Sequence, residues 1–221
     1  MPTENERKYV LRLDFNTASL IGWHRLTIEQ AYFSCVKQVE EKEGKYYFTS
    51  LHPEGGRDPI IRKEIGKNDY DALCEEGALE HSSRIRCDGD SYYLTYKVWS
   101  KEQDRLVEIE EEIEQGLYNQ LIMHGKDKVT KDRLVLCKDE EEWVVDTLRD
   151  QSGTPYFVMA EVEMPEGRDV PQYTPDVVVP SIIYEVARDD VRFTNKNLSN
   201  PETARKLYEE ISTIVPPPSR G

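Results

Sequence analysis

Charge recurs at every second position in segments that otherwise read as β-strands, and this alternation most limits the folds open to the chain. In a strand, successive side chains point to opposite faces, so residues i, i+2 and i+4 share one. Candidate strands span 5–13, 45–51, 83–88, 91–98, 105–113, 131–137, 142–148, 156–164 and 182–187. Glu4, Glu6, Lys8 and Arg12 fall on one face of the first. Arg84 and Arg86 share a face, as do Tyr93, Thr95 and Lys97, and again Glu108, Glu110 and Glu112, with Arg105 on the other parity. Arg133 opens the apolar run Leu134-Val135-Leu136, Asp146 follows Trp143-Val144-Val145, and Glu161 and Glu163 alternate with Val162. Any one of these strands fits an antiparallel sheet whose charges lie in water, where an ion pair contributes about 0–1 kcal/mol. Taken together, they fit better a sheet closed into a barrel with a charged interior and helices outside. Such an interior is costly unless its charges are paired, hydrated or bound to a ligand. Bases alone suit a polyphosphate; bases with several glutamates suit a polyphosphate and its metal ions.

Candidate helices are fewer: 68–80, 116–124 and 201–212, the last with Asn200 as cap and Pro201 in its first turn. Asp88-Gly89-Asp90 is a turn signal that makes 83–98 a hairpin. Residues 26–42 are compatible with helix or strand. The stretch 52–67, rich in Gly, Pro and charge, reads as a loop or inserted excursion, and 213–221 as a disordered tail.

A net charge of −14 argues against a nucleic acid held on a broad basic surface. It leaves room for a small anion, because a local cluster of Lys and Arg focuses positive potential inside an acidic shell. Excess carboxylates suit Mg²⁺ or Mn²⁺, which prefer oxygen ligands. Cys35, Cys74, Cys87 and Cys137 form no C-x-x-C pair, and the four histidines lack metal-ligand spacing. With no signal peptide or long apolar segment, the expectation is reduced thiols in a cytoplasmic protein without a membrane partner. P-loop, dinucleotide-binding and G-x-S-x-G motifs are absent from the sequence.

Glu4-x-Glu6-x-Lys8 resembles the E-x-E-x-K signature of the CYTH superfamily, the triphosphate tunnel metalloenzymes, and most of all its bacterial inorganic triphosphatase-type members. Further stretches resemble the family in its order: Ile28 to Phe33, Arg84-x-Arg86, Tyr93 to Lys97, Arg105 to Glu112, Trp143 to Asp146 and Ala160 to Glu163. The closing run, Tyr184-Glu185-Val186 and then Asp190 to Leu198, resembles the family's last motif. Two departures stand out. Seventy-five residues separate Lys8 from Arg84, so 34–82 reads as an elaboration, and Val144 stands where the family pattern W-E-V-D has glutamate.

The resemblance implies an α+β fold: an eight-stranded antiparallel barrel forming a tunnel, with flanking helices, in a single domain over 1–212. It implies metal-dependent hydrolysis of inorganic tripolyphosphate or of a nucleoside or organic triphosphate, with Mg²⁺ or Mn²⁺ as cofactor. A homodimer is compatible with it. Glu4, Glu6, Glu161 and Glu163 are then the metal ligands, assisted by Glu110 or Glu112. Lys8, Arg84, Arg86, Lys97, Arg105, Arg133 and Arg192 are the phosphate contacts, and Lys8, Glu4 and Glu6 the catalytic group. Two other readings stay open. An adenylyl cyclase of the same fold would need an adenine pocket that no residue marks. A protein that binds nucleotide or polyphosphate without turnover fits the lost glutamate at Val144.

Overall fold

The structure, a computed structural model, describes residues 5–15, 20, 22–33, 36–51, 59–75, 79–165, 167–188 and 190–214. Glu4, residues 52–58 of the expected loop and 215–221 of the expected tail lie outside them. Twelve strands and three α-helices follow in chain order: β1 (Glu6–Leu11), β2 (His24–Phe33), β3 (Val36–Lys42), β4 (Lys45–Leu51), β5 (Pro59–Ile65), α1 (Lys67–Cys74), β6 (Leu79–Asp88), β7 (Ser91–Ser100), β8 (Arg105–Glu112), α2 (Gln115–His124), β9 (Lys126–Lys138), β10 (Glu141–Arg149), β11 (Pro155–Glu163), β12 (Ile182–Glu185) and α3 (Pro201–Ile214). The ambiguous stretch 26–42 is therefore two strands, and the second half of the expected 52–67 loop is strand β5.

Nine strands pair in the order β12-β1-β11-β10-β9-β2-β6-β7-β8, and β3-β4-β5 form a separate three-stranded sheet. The expected eight-stranded barrel is not there: β12 and β8 are the edges of an open order, and among the described residues no sheet closes on itself. Closure would require the end strands to exchange hydrogen bonds. The outer side of β8 is occupied instead by Lys63 of β5, whose Nζ donates to the main-chain carbonyl of Glu110 at 2.6 Å and pairs with Glu111 at 2.8 Å. A charged cover of this kind is a common way of blunting an edge strand.

The chain divides into two compact units, one of residues 30–126 and one of residues 4–29 with 127–221. In the first unit, one face of β6, β7 and β8 presents Ile85, Leu94, Tyr96, Val98, Val107 and Ile109 to a core completed by Phe48 and Ile61 of the small sheet and by Leu73 and Leu121 of α1 and α2. The Phe48 ring lies 4.9 Å from that of Tyr96, and burying such a side chain contributes about 1.5–3 kcal/mol. Phe48, Ile61 and Leu73, from the segment between β2 and β6, thus supply apolar cover for this face of β6, β7 and β8. Gly125, after α2, has no room for a side chain: an added Cβ would sit 2.5 Å from that of Ala31.

In the second unit the sheet has a core on each face. Tyr9, Leu134, Trp143, Val145, Ala160 and Val162 fill one. Val10, Leu148, Phe157 and Met159 fill the other beneath Ala204, Leu207 and Ile211 of α3. That helix starts where the sequence places its cap: Asn200 Oδ1 accepts from the main-chain N–H groups of Glu202 and Thr203, both at 3.0 Å.

Candidate functional site

Register puts the expected residues of the first unit on one face. Arg84 pairs with Thr95 and Arg86 with Tyr93 across β6 and β7; Thr95 pairs with Glu110, Tyr93 with Glu112 and Lys97 with Glu108 across β7 and β8. The alternate positions Ile85, Leu94 and Ile109 are buried in the core. A one-residue slip would turn them into water, so the core fixes the face that carries the charge.

On that face two guanidiniums share one carboxylate. Arg84 Nη2 lies 3.7 Å from Glu110 Oε2, and Arg86 Nη2 lies 3.5 Å from Glu110 Oε1. Thr95 Oγ1 donates to Glu110 at 2.7 Å and accepts from Arg84 Nη2 at 3.3 Å. Arg86 also lies 5.1 Å from the centre of the Tyr93 ring. Lys97 pairs with Glu108 at 2.9 Å. The Nε atoms of both Arg84 and Arg86 are buried, and neither has a hydrogen-bond partner among the described residues. Burial pushes the Arg84 guanidinium below its ordinary value against the opposing pull of Tyr32, and Arg86 pushes the same way. A desolvated, under-satisfied pair of forks is what an anion with several oxygens would complete.

One expected residue of this unit lies on the opposite face. Arg105 lies on the parity of the core and donates to Asp69 of α1 at 2.7 Å and to Gln103 at 2.7 Å. Glu112 is exposed at the end of the charged row.

In the second unit, Glu6 pairs with Glu163 and Lys8 with Glu161 across β1 and β11. The Lys8 ammonium sits between two carboxylates, 2.8 Å from Glu6 and 3.5 Å from Glu161. Burial pulls the Lys8 value down, but Glu161 and Glu6 outweigh it and hold the group above the ordinary lysine value. Val144 faces Glu161 across β10 and β11, so the residue that departs from the family pattern lies on this charged face. Further along the same face, Asp146 is wholly buried and serves two cations. Arg133 donates to both its oxygens at 2.7 Å, and Lys131 Nζ donates to Oδ2 at 2.6 Å. Burial pushes the Asp146 carboxyl up, yet Lys131 and Arg133 bring it below the ordinary carboxylate value. Burial also pushes the Lys131 ammonium down.

Lys131 and Asn195 escape a reading for site residues. Asn195 Oδ1 accepts from Lys131 Nζ at 3.2 Å. The signal for Lys131 is its two-residue spacing from Arg133, which places both on one face. Arg192 is exposed and bonded to Asp190 of its own turn and to Glu210 of α3.

The oxygen-only donors Glu6, Glu161 and Glu163 suit a hard divalent cation. Among the described residues, however, no three carboxylate, thiol or imidazole groups converge on one point, and Lys8 already binds Glu6 and Glu161. The described residues therefore do not amount to a protein-only cage. Mg²⁺ is commonly held by one or two carboxylates with phosphate oxygens and water.

No family model and no curated protein matches the sequence. Among solved structures, the chain is similar to the hypothetical protein NE1496, with 17% identity, a TM-score of 0.46 and coverage of 88% of this chain and 95% of that one. It is also similar to a conserved hypothetical protein from Pyrococcus furiosus, with 14% identity, a TM-score of 0.35 and coverage of 96% and 94%. No helix is long and apolar enough to cross a membrane.

Proposed function

We propose that this protein binds a triphosphate together with Mg²⁺ or Mn²⁺ and hydrolyses its terminal anhydride, as the resemblance to the CYTH superfamily implies. The observation that carries the reading is the Arg84–Arg86 pair, whose buried Nε atoms lack partners among the described residues and whose two positive charges share the Glu110 carboxylate. Arg84, Arg86 and Lys97 are the phosphate contacts of the first unit. In the second, Arg133 is clamped to Asp146. Lys8, paired with Glu6 and Glu161, is an electrostatic contact for the phosphates.

Glu6, Glu161 and Glu163 are the carboxylates that would hold the cation. A bound Mg²⁺ or Mn²⁺ would draw charge from the phosphate oxygens. Phosphoryl transfer depends mainly on positioning and charge stabilisation, so fixed cations and carboxylates suffice without a covalent nucleophile. The test is release of orthophosphate from tripolyphosphate in Mg²⁺ or Mn²⁺. Release by the wild type, lost on chelation and in Glu161→Gln, is expected; absence of both binding and release refutes the reading. One observation favours a second reading, a triphosphate-binding protein without turnover: no three metal-ligating groups converge among the described residues. Tight binding with no phosphate release would select it.

A further inference from the structure

The charged row of the first unit ends in an apolar platform. On β7, Trp99 follows Tyr93, Thr95 and Lys97 at the same parity, and it pairs with Leu106 of β8, one step beyond the Lys97–Glu108 pair. Register is unbroken along β7 and β8 from Tyr93 to Ser100, so Trp99 and Leu106 share the face of Arg84, Arg86 and Lys97. Both are half-buried and keep part of their surface in water. The other two tryptophans belong to cores: Trp143 is fully buried and stacked on Tyr9 with centroids 5.9 Å apart, and Trp23 packs against the same cluster. The apolar residues of β7 that build the core, Leu94, Tyr96 and Val98, all have the opposite parity. Among the described residues Trp99 belongs to none of the three apolar cores.

Two residues along a strand span roughly 7 Å. From the Arg84–Thr95 row, one such step reaches Lys97 and a second reaches Trp99. A phosphate chain lying along β7 from Arg84 past Lys97 would deliver whatever is attached to its inner phosphate onto the Trp99–Leu106 pair. A flat, electron-poor heterocycle is what an indole face and an aliphatic neighbour bind, and base–aromatic stacking tolerates every base because each has a π-face. Inorganic tripolyphosphate has nothing to place there.

We infer that Trp99, with Leu106 beside it, is a specificity residue that seats the aromatic heterocycle of an organic triphosphate of the nucleoside class. The inference rests on the proposed function, since it takes Arg84, Arg86 and Lys97 as phosphate contacts. It deepens that reading by assigning the group beyond the phosphates.

The test compares imidotriphosphate with a β,γ-imido nucleoside triphosphate in titrations with Mg²⁺. Trp99→Ala should weaken the nucleoside analogue by about tenfold or more, in line with aromatic stacking of a base, and leave imidotriphosphate within twofold of wild type. Trp99→Phe keeps a ring and the fold. It should retain most of the affinity while abolishing the fluorescence change that the nucleoside analogue produces in the wild type. Equal losses for both ligands in Trp99→Ala, no loss for either, or an unchanged fluorescence response in Trp99→Phe overturns the inference and leaves phosphate binding standing. Failure of the wild type to bind imidotriphosphate overturns both.

Discussion

Each unit contains a carboxylate shared by two cations, and the two are built to opposite ends. Glu110 keeps 35% of its side chain exposed and meets Arg84 and Arg86 at 3.7 and 3.5 Å, beyond good hydrogen-bond length. Asp146 keeps 1% exposed, takes a bidentate grip from Arg133 and has Lys131 at 2.6 Å. Both groups carry one surplus positive charge. In the first unit the surplus sits on forks whose Nε atoms lack partners among the described residues. In the second it sits on a saturated cluster with Lys131 sealed beneath. Charge count therefore does not separate an anion site from a structural ion cluster; the satisfaction of each donor does.

The largest effect should come from opening the sealed cluster. Asp146→Ala leaves Lys131 and Arg133 in the interior without their counter-charge, which should cost about 3–5 kcal/mol and be read as a fall in the urea midpoint. The same group sets an acid dependence. Its carboxyl lies below the ordinary value when folded. Its stabilisation is therefore complete above the unfolded carboxylate value of about 4 and is lost as pH falls through the lower folded value. The stability gap between wild type and Asp146→Asn should be constant from pH 7 to 5 and narrow below about pH 4. A gap unchanged down to pH 2.5 would show that Asp146 is not what Lys131 and Arg133 depend on.

Arg86→Ala should produce the converse pattern. Its Nε has no partner among the described residues, so folding stability should change by less than about 1 kcal/mol. Tripolyphosphate binding should weaken by roughly 2–5 kcal/mol, because a desolvated phosphate would lose its charged partner. Calorimetric titration beside a denaturation curve separates the two. A large stability loss with unchanged binding would place Arg86 in the same class as Asp146 and erase the contrast.

The faces were legible and the closure was not. Alternation alone placed Arg84 with Arg86, Thr95 with Lys97 and Glu161 with Glu163, and the register agrees at each pair. Side-chain parity is a property of one strand. Closing a barrel is a property of two edges, and nothing in the sequence of β8 announces that Lys63, 47 positions before Glu110 in the chain, donates to its outer carbonyl. Lys131 was hidden for a different reason: Lys131-Asp132-Arg133 reads as a solvated triplet. Only the pairing of Asp146 with Arg133 and of Leu148 with Lys131 turns its outer members inward together. Arg105 shows the reverse: its odd parity was visible, and Asp69 of α1 uses it.

The smallest expected effect belongs to a pair in neither cluster. Lys45 opens β4 and meets Glu64 of β5 at 2.8 Å with both side chains more than half exposed. Water screens that pair, and holding two long side chains in one geometry offsets much of the attraction, so it adds little to stability. Lys45→Ala removes one positive charge, as Arg86→Ala does, and is therefore the control for diffuse electrostatics. It should leave tripolyphosphate affinity within about twofold and the urea midpoint close to that of the wild type. If Lys45→Ala weakened binding as much as Arg86→Ala, overall charge would be holding the ligand, and the Arg84–Arg86 pair of the first unit would lose its claim to be its site.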